Sequence, residues 1–313
     1  MASDLHVLER HSIVTPLGVQ FVDDFSGVPI DSGLDVWTWP EGLPDRRVPA
    51  RPAGSATYAA HGLPGFRDFE RGDGDAAYWT KWLAAPKRRF IVEARDRDAR
   101  FLPVQVRVEL PAFGRARPSC PQLLPVSRRL AVPLFSAPTR LVPATAAIVR
   151  AELYDRSLQG PAAWAVVDAR LNGRTIARGM TDRHGRLVLL FAYPEPQASW
   201  ASPPIAVTSP AATPMGPLAD QRWSIDIVVR YDRSLLRHDV ASRGDRTAAI
   251  REVPDLCDAL AQAPAALLAD AASPSFDLTA ITLRYGEAAV LRTANTLDQE
   301  RGRLLVITGG SPL

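Results

Sequence analysis

The chain has 313 residues, of which 46% are hydrophobic and 23% are charged, so we expect a folded protein with room for two domains. The net charge is only +3, and no basic run is interleaved with aromatic residues, which argues against nucleic-acid binding. The sequence contains no stretch of about 18 consecutive apolar residues, so it predicts no membrane span. The first residues carry no basic segment followed by an apolar run, so we expect cytoplasmic synthesis without a signal peptide.

Short alternating runs predict an N-terminal β-sandwich domain with long loops over residues 1–113. Residues 19–23 and 34–39 alternate on either side of a turn-forming segment rich in Gly, Pro and Ser. The clearest pattern covers residues 102–110, where Leu and Val occupy every second position between polar residues. This pattern predicts a strand with one buried face and one wet face.

Residues 68–86 mix acids, glycines and aromatic side chains, which is typical of a long excursion between strands. Tyr78, Trp79 and Trp82 lie in this segment and are the candidate interface residues. Exposed aromatic side chains would suit a protein interface or sugar stacking, whereas buried ones would fill a core. The sequence leaves both possibilities open.

The rest of the chain divides into three parts. Residues 114–143 are rich in proline and predict a linker, with a possible strand at 130–135. Alternating runs over 144–233 predict a second β-sandwich. Residues 234–313 predict a C-terminal helix followed by short strands.

The C-terminal helix is predicted over residues 255–271. Asp255 can cap it, and apolar residues from Leu256 to Leu267 follow at helical spacing. Pro264 is expected to kink the helix or to split it. The short strands that close the chain could form an independent unit or dock on a neighbour.

The sequence predicts no catalytic, cofactor-binding or metal-ligating residue. It has neither a Gly-x-Ser-x-Gly elbow nor a Gly-rich phosphate loop, and its five histidines never fall in zinc-binding spacing. Cys120 and Cys257 are expected to be free structural thiols, because a disulfide framework or Cys-rich zinc site needs more cysteines. The chain is therefore not expected to be an enzyme, although a site assembled from distant residues stays an alternative.

Two acidic pairs have the spacing of candidate calcium ligands, because hard cations take several oxygen ligands. They are Asp73 with Asp75, and Asp96 with Asp98. Neither pair has enough oxygen ligands nearby, so both are interpreted as solvated loops.

Two turns carry a resemblance to a known module. Asn172-Gly173 and Thr181-Asp182-x-x-Gly185 separate three predicted strands. This order resembles carboxypeptidase regulatory-like, or transthyretin-like, modules, which are scaffolds without catalytic residues. Taken with the alternating runs and the C-terminal helix, the resemblance predicts a mainly β fold of tandem β-sandwich (transthyretin/Ig-like) domains with a small C-terminal α/β extension.

Longer stretches resemble proteins encoded beside the genes of phage-tail-like contractile injection systems. They include the motifs Pro161-Ala-Ala-Trp164 and Tyr193-Pro-Glu-Pro196, and they cover residues 18–23, 58–70, 100–103, 132–138, 161–164 and 190–196. The resemblance implies a structural particle component, with the baseplate as its place and the cap as the next candidate. Its partners would be baseplate, tube, sheath or cap proteins, or copies of itself in a ring. The alternative is a carbohydrate-binding or adhesin module that stacks sugars on Trp79 and Trp82.

Overall fold

The computed structural model describes residues 14–71, 74–112, 120, 131–196, 218–236, 253–272, 280–297 and 300–307. Within them the chain is mainly β, with a sandwich-type arrangement of several sheets, which confirms the predicted fold class. The strands form two units, each around its own core. The first is a nearly closed, barrel-like sheet, and the second is a sandwich of two smaller sheets.

The first unit is a seven-stranded sheet in the order β6-β5-β2-β3-β4-β1-β7. Its strands are β1 (Leu17–Asp23), β2 (Leu34–Pro40), β3 (Val48–Ala53), β4 (Thr57–Ala60), β5 (Arg88–Asp96), β6 (Val104–Leu110) and β7 (Val132–Leu134). All neighbours are antiparallel except β1 and β7, which are parallel.

The two end strands of this sheet are joined through the residues beside them. Phe101 forms a bridge with Ser136, and the backbone N–H of Leu102 donates to the carbonyl of Phe135 at 2.9 Å. These bonds close the barrel because they link the start of β6 to the end of β7. Strand β7 lies within the possible strand predicted at 130–135. Part of the predicted linker is therefore a strand of the barrel wall.

The alternation predicted for residues 102–110 is confirmed in β6. Val104, Val106, Val108 and Leu110 point into the barrel core. The prediction that the opposite face is wet is wrong at Gln105, which points away from that core but is only 3% exposed. It is buried because its strand forms a bridge with Asp255, so that a second layer covers this edge of the sheet.

That layer begins with α2 (Leu256–Leu260), where the predicted cap is confirmed. The carboxylate of Asp255 accepts a hydrogen bond from the N–H of Cys257 at 2.9 Å. The prediction that the helix extends to residue 271 is wrong, because it ends at Leu260. Pro264 cannot supply a helical N–H, and it instead forms a β-bridge with Arg230.

The second unit consists of two sheets that enclose one core. The first sheet has the order β11-β10-β13-β15; the second has β12-β8-β17-β14, with β9 and β16 also paired to β8. The strands are β8 (Ala146–Asp155), β9 (Gly160–Pro161), β10 (Val166–Leu171), β11 (Arg174–Met180), β12 (Arg186–Ala192), β13 (Arg222–Arg230), β14 (Ala266–Leu267), β15 (Ala280–Arg284), β16 (Ala288–Leu291) and β17 (Leu304–Ile307). Asn172 and Gly173, both at positive φ, form the predicted turn between β10 and β11.

Strand pairing crosses the predicted boundary at residue 234. Strand β15 pairs with β13, while β16 and β17 run parallel to β8. These late strands bury Leu283, Leu291 and Leu304 in the core of the sandwich. They complete the second unit because each is too short to bury an apolar face alone.

The two units share an apolar contact. Val166 and Met180, on the outer face of the four-stranded sheet, belong to the core cluster of the barrel, together with Trp164. Leu256 and Leu260 of α2 belong to the same cluster. The barrel core therefore continues into residues of the sandwich.

Candidate functional site

The three candidate interface residues lie on a helix, α1 (Ala76–Ala84), so the prediction of a loop at this place is wrong. The carboxylate of Asp75 caps the helix by accepting from the N–H of Tyr78 at 2.7 Å. The helix ends before Pro86, whose preceding residue Ala85 is extended, as the ring requires. The predicted Asp73–Asp75 pair lies only partly within the described residues, and its second member is this cap.

Trp82 anchors the helix to the barrel. Its side chain is 2% exposed, and its indole N–H donates to the carbonyl of Ala112 at 2.8 Å. The rings of Phe66 and Phe69 meet it edge-on, each with a centroid distance of 5.2 Å. Trp82 is therefore a core residue, and the two-tryptophan sugar platform is not formed.

Tyr78 and Trp79 lie at the boundary between the buried and exposed faces of α1. The Tyr78 hydroxyl donates to the carbonyl of Phe69 at 2.6 Å, and burial raises the pKa of this phenol. Its ring meets that of Trp79 edge-on at 5.0 Å. The two aromatic side chains hold each other in place while both remain partly exposed.

An apolar strip runs along the outer side of α1. Leu83 is 54% exposed and lies four residues after Trp79, so the two side chains share one side of the helix. Ala76 precedes them on the same side and is exposed. We call Ala76, Trp79 and Leu83 the α1 strip. Leu83 was missed in the sequence, although its i,i+4 spacing from Trp79 would have indicated it once a helix was assumed.

A second surface feature lies on the sandwich, as a cleft of about 280 Å³. Apolar residues around Trp164 and Tyr231 line it, with Arg183 and Arg233 beside them. Trp164 has φ of 63°, which is strained for a bulky side chain, and its carbonyl accepts from Gln262 at 2.9 Å. This cleft suits a small apolar group beside a negative charge.

The acidic pair Asp96 and Asp98 is engaged by arginine. Arg100 donates to Asp96 from its backbone and guanidinium, and these bonds outweigh burial to lower the pKa of Asp96. The side chain of Asp96 is fully buried, so its interpretation as a solvated loop residue is wrong. Arg97 pairs with Asp35 instead, at 2.6 Å.

Among the described residues, no group of three or more His, Cys, Asp or Glu side chains is arranged to hold a metal ion. No helix in the described parts of the chain is long and apolar enough to cross a membrane.

Comparison with known proteins does not assign the chain to a family. No protein-family model matches the chain, and no curated protein matches it. Among solved structures, a point mutant of the shaft pilin SpaA from Lactobacillus rhamnosus GG matches 97% of this chain and 100% of its own. The identity is 8% and the TM-score is 0.20, so this likeness carries no argument.

Proposed function

We propose that the chain is a non-enzymatic structural subunit that works through protein–protein contacts. The observation that carries this proposal is the α1 strip, where Leu83 is 54% exposed and the half-buried ring of Trp79 meets Tyr78 edge-on. A rigid aromatic side chain next to an exposed leucine is the kind of anchor that dominates protein interfaces. The strip is small, so repeated copies in a ring would add to its strength.

A strand edge offers a second kind of contact. Within the described residues, β11 has a strand partner on one side only, namely β10. A row of open backbone groups at a sheet edge can pair with a strand of another chain. The edge residues Arg174 and Thr175 are exposed.

The particle that we propose is a phage-tail-like contractile injection system, with the baseplate as the subunit's place and the cap as the second candidate. This part rests on the resemblance of the six segments. Two of them, 58–70 and 132–138, contribute strands on either side of β1, which contains 18–23. A third, 100–103, is bonded to 132–138 through Phe101 and Ser136. Their adjacency in the barrel supports a shared structural unit.

The particle assignment is tested on contractile particles purified from cells that encode the chain. Mass spectrometry should find the chain in fixed proportion to the sheath and tube proteins. Deletion of its gene should leave particles incomplete in electron micrographs. Absence of the chain from intact particles would contradict the assignment.

The α1 strip is tested by tagging the chain and measuring which particle proteins co-purify with it. Leu83→Asp should reduce co-purification, because a charge would be placed in an apolar contact. Leu297→Asp is the matched control, since Leu297 is 73% exposed and lies in the sandwich. If both variants reduce co-purification equally, the α1 strip is not part of the interface.

A further inference from the structure

A basic cleft of about 510 Å³ opens on the barrel wall. Its walls are Arg46 and Arg47, from the connection between β2 and β3, and Arg67, from the segment after β4. Gly62 and Gly65 form part of its floor. We call the space between these residues the arginine cleft.

The described surroundings of the arginine cleft supply no carboxylate partner to its arginines. Within the described residues, no acidic side chain lines the cleft and none of its three arginines forms an ion pair. Glu41, in the same connection, pairs with Arg107 at 3.0 Å. Glu70 accepts a hydrogen bond from the backbone N–H of Gly62. These two carboxylates are therefore directed to other partners.

Several contacts hold the arginines in place before any ligand arrives. The guanidinium of Arg47 lies 4.6 Å from the ring centroid of Trp39, which is 2% exposed. This cation–π contact fixes the guanidinium on a rigid support. Arg67 Nε donates a long hydrogen bond of 3.4 Å to the carbonyl of Gly62. Less side-chain entropy is lost when such groups bind a ligand.

A fourth arginine borders the cleft. The guanidinium of Arg88 packs against Gly65, where the backbone has φ of 86° and no side chain would fit. Gly65 therefore allows the cation to approach the backbone closely. Arg88, like the other three, forms no ion pair within the described residues, although its neighbours Lys87 and Arg89 do.

We infer that the arginine cleft binds an acidic peptide segment of a neighbouring protein. The planar guanidinium donates two parallel hydrogen bonds to a carboxylate, and several arginines spread over a wide, open cleft match carboxylates spaced along a chain. The inference rests on the proposed assembly function for the identity of the partner. Binding of the peptide itself can be measured without the particle.

The test uses the full chain and a fluorescent poly-glutamate peptide, with binding followed by anisotropy at low ionic strength. Arg46→Gln and Arg67→Gln should each weaken binding about three- to tenfold, because each removes one charge-assisted contact. Arg301→Gln is the matched control, since Arg301 is exposed on the sandwich and far from the cleft in sequence. Thermal melting should be the same for all three variants, because these arginines are on the surface.

A poly-glutamine peptide of equal length should not bind. Equal weakening by Arg301→Gln, or equal binding of both peptides, would overturn the inference. Displacement of the peptide by an oligonucleotide or inorganic phosphate at lower concentration would also overturn it, because the ligand would then be a phosphate. If poly-glutamate binds as expected but the chain is absent from particles, the cleft stands and the particle assignment fails. If the chain is present in particles but poly-glutamate does not bind, only the inference about the arginine cleft fails.

Discussion

Arg140 holds the carboxylate of Asp23 with two parallel hydrogen bonds, at 2.8 Å and 2.7 Å. The two residues are 117 positions apart, and they join the end of β1 to the segment after β7. The guanidinium also lies 4.9 Å from the ring centroid of Phe101 and donates to Ser136 at 2.9 Å. Burial alone would raise the pKa of Asp23, but the bonds from Arg140 and Ser26 outweigh it and lower that pKa.

Arg140→Ala should lower the free energy of unfolding by about 3 kcal/mol, because it leaves the buried carboxylate of Asp23 without its counter-ion. Urea denaturation at neutral pH measures this loss. The pKa of Asp23 is lowered in the folded state, so the Asp23–Arg140 pair stabilises the folded protein at pH values above the unfolded-state pKa near 3.8. This stabilisation is lost as the pH falls below that value. The difference between variant and parent should therefore shrink in acid. A variant as stable as the parent at neutral pH would contradict this role.

Asp24→Asn should stabilise the protein at high pH. Burial raises the pKa of Asp24 to about 7, Asp23 and Asp168 add to the rise, and Arg178 opposes it. The folded protein thus favours the protonated carboxyl of Asp24. The contribution of this carboxyl to the stability of the fold is complete below pH 3.8 and is lost as pH rises through 7. Asparagine stays neutral, so the variant should gain about 1–3 kcal/mol over the parent at pH 8 and almost nothing at pH 4. An equal difference at both pH values would be evidence against it.

Gly185→Ala should destabilise the sandwich more than Gly173→Ala. Both glycines have φ of 76°, so an alanine costs the same backbone strain at each. A methyl group at Gly185 would collide with the carbonyl of Leu153, whereas one at Gly173 would meet open space. We expect an extra loss of about 1–3 kcal/mol at Gly185 in chemical denaturation. Equal losses would mean that the close approach in this turn is unimportant.

The thiols of Cys120 and Cys257 should react slowly in the folded protein. Neither forms a disulfide, as predicted, and a hydrogen bond between them, burial and the nearby Asp255 raise the pKa of Cys257. Little thiolate is then present at pH 8, and thiolate is the reactive form. Labelling with Ellman's reagent should be at least about tenfold faster in urea than in buffer. Cys257→Ser should leave one thiol, which identifies the contribution of Cys120; equally fast labelling in both solvents would disprove the effect.

Strands with alternating apolar residues could be predicted from the sequence because the signal is local. Strand β6 is the clearest case, since Val104 to Leu110 repeat every second residue and the core lies on one side. The turn at Thr181-Asp182-x-x-Gly185 was also found. There the Asp182 carboxylate accepts from two backbone N–H groups, and Gly185 takes the positive φ that an ordinary side chain would resist.

The surface features could not be predicted in the same way, because they depend on distant contacts. Helix α1 is short and rich in aromatic residues, and it is stabilised by the packing of Trp82 on Phe66 and Phe69 rather than by helix propensity. The arginine cleft joins Arg46 and Arg67, which are unremarkable surface residues until the barrel brings their segments together.

The pairing of β8 with the last strands of the chain sets an order of events during synthesis. Glu152 and Arg303, 151 residues apart, form an ion pair across β8 and the start of β17. At ribosomal speeds of about 5–20 residues per second, β8 would wait roughly ten seconds or more for this partner. The seven strands of the barrel have all emerged by then. Until then the edge of β8 that pairs with β16 and β17 stays open, so the unfinished sandwich carries a strand edge that could pair with another chain.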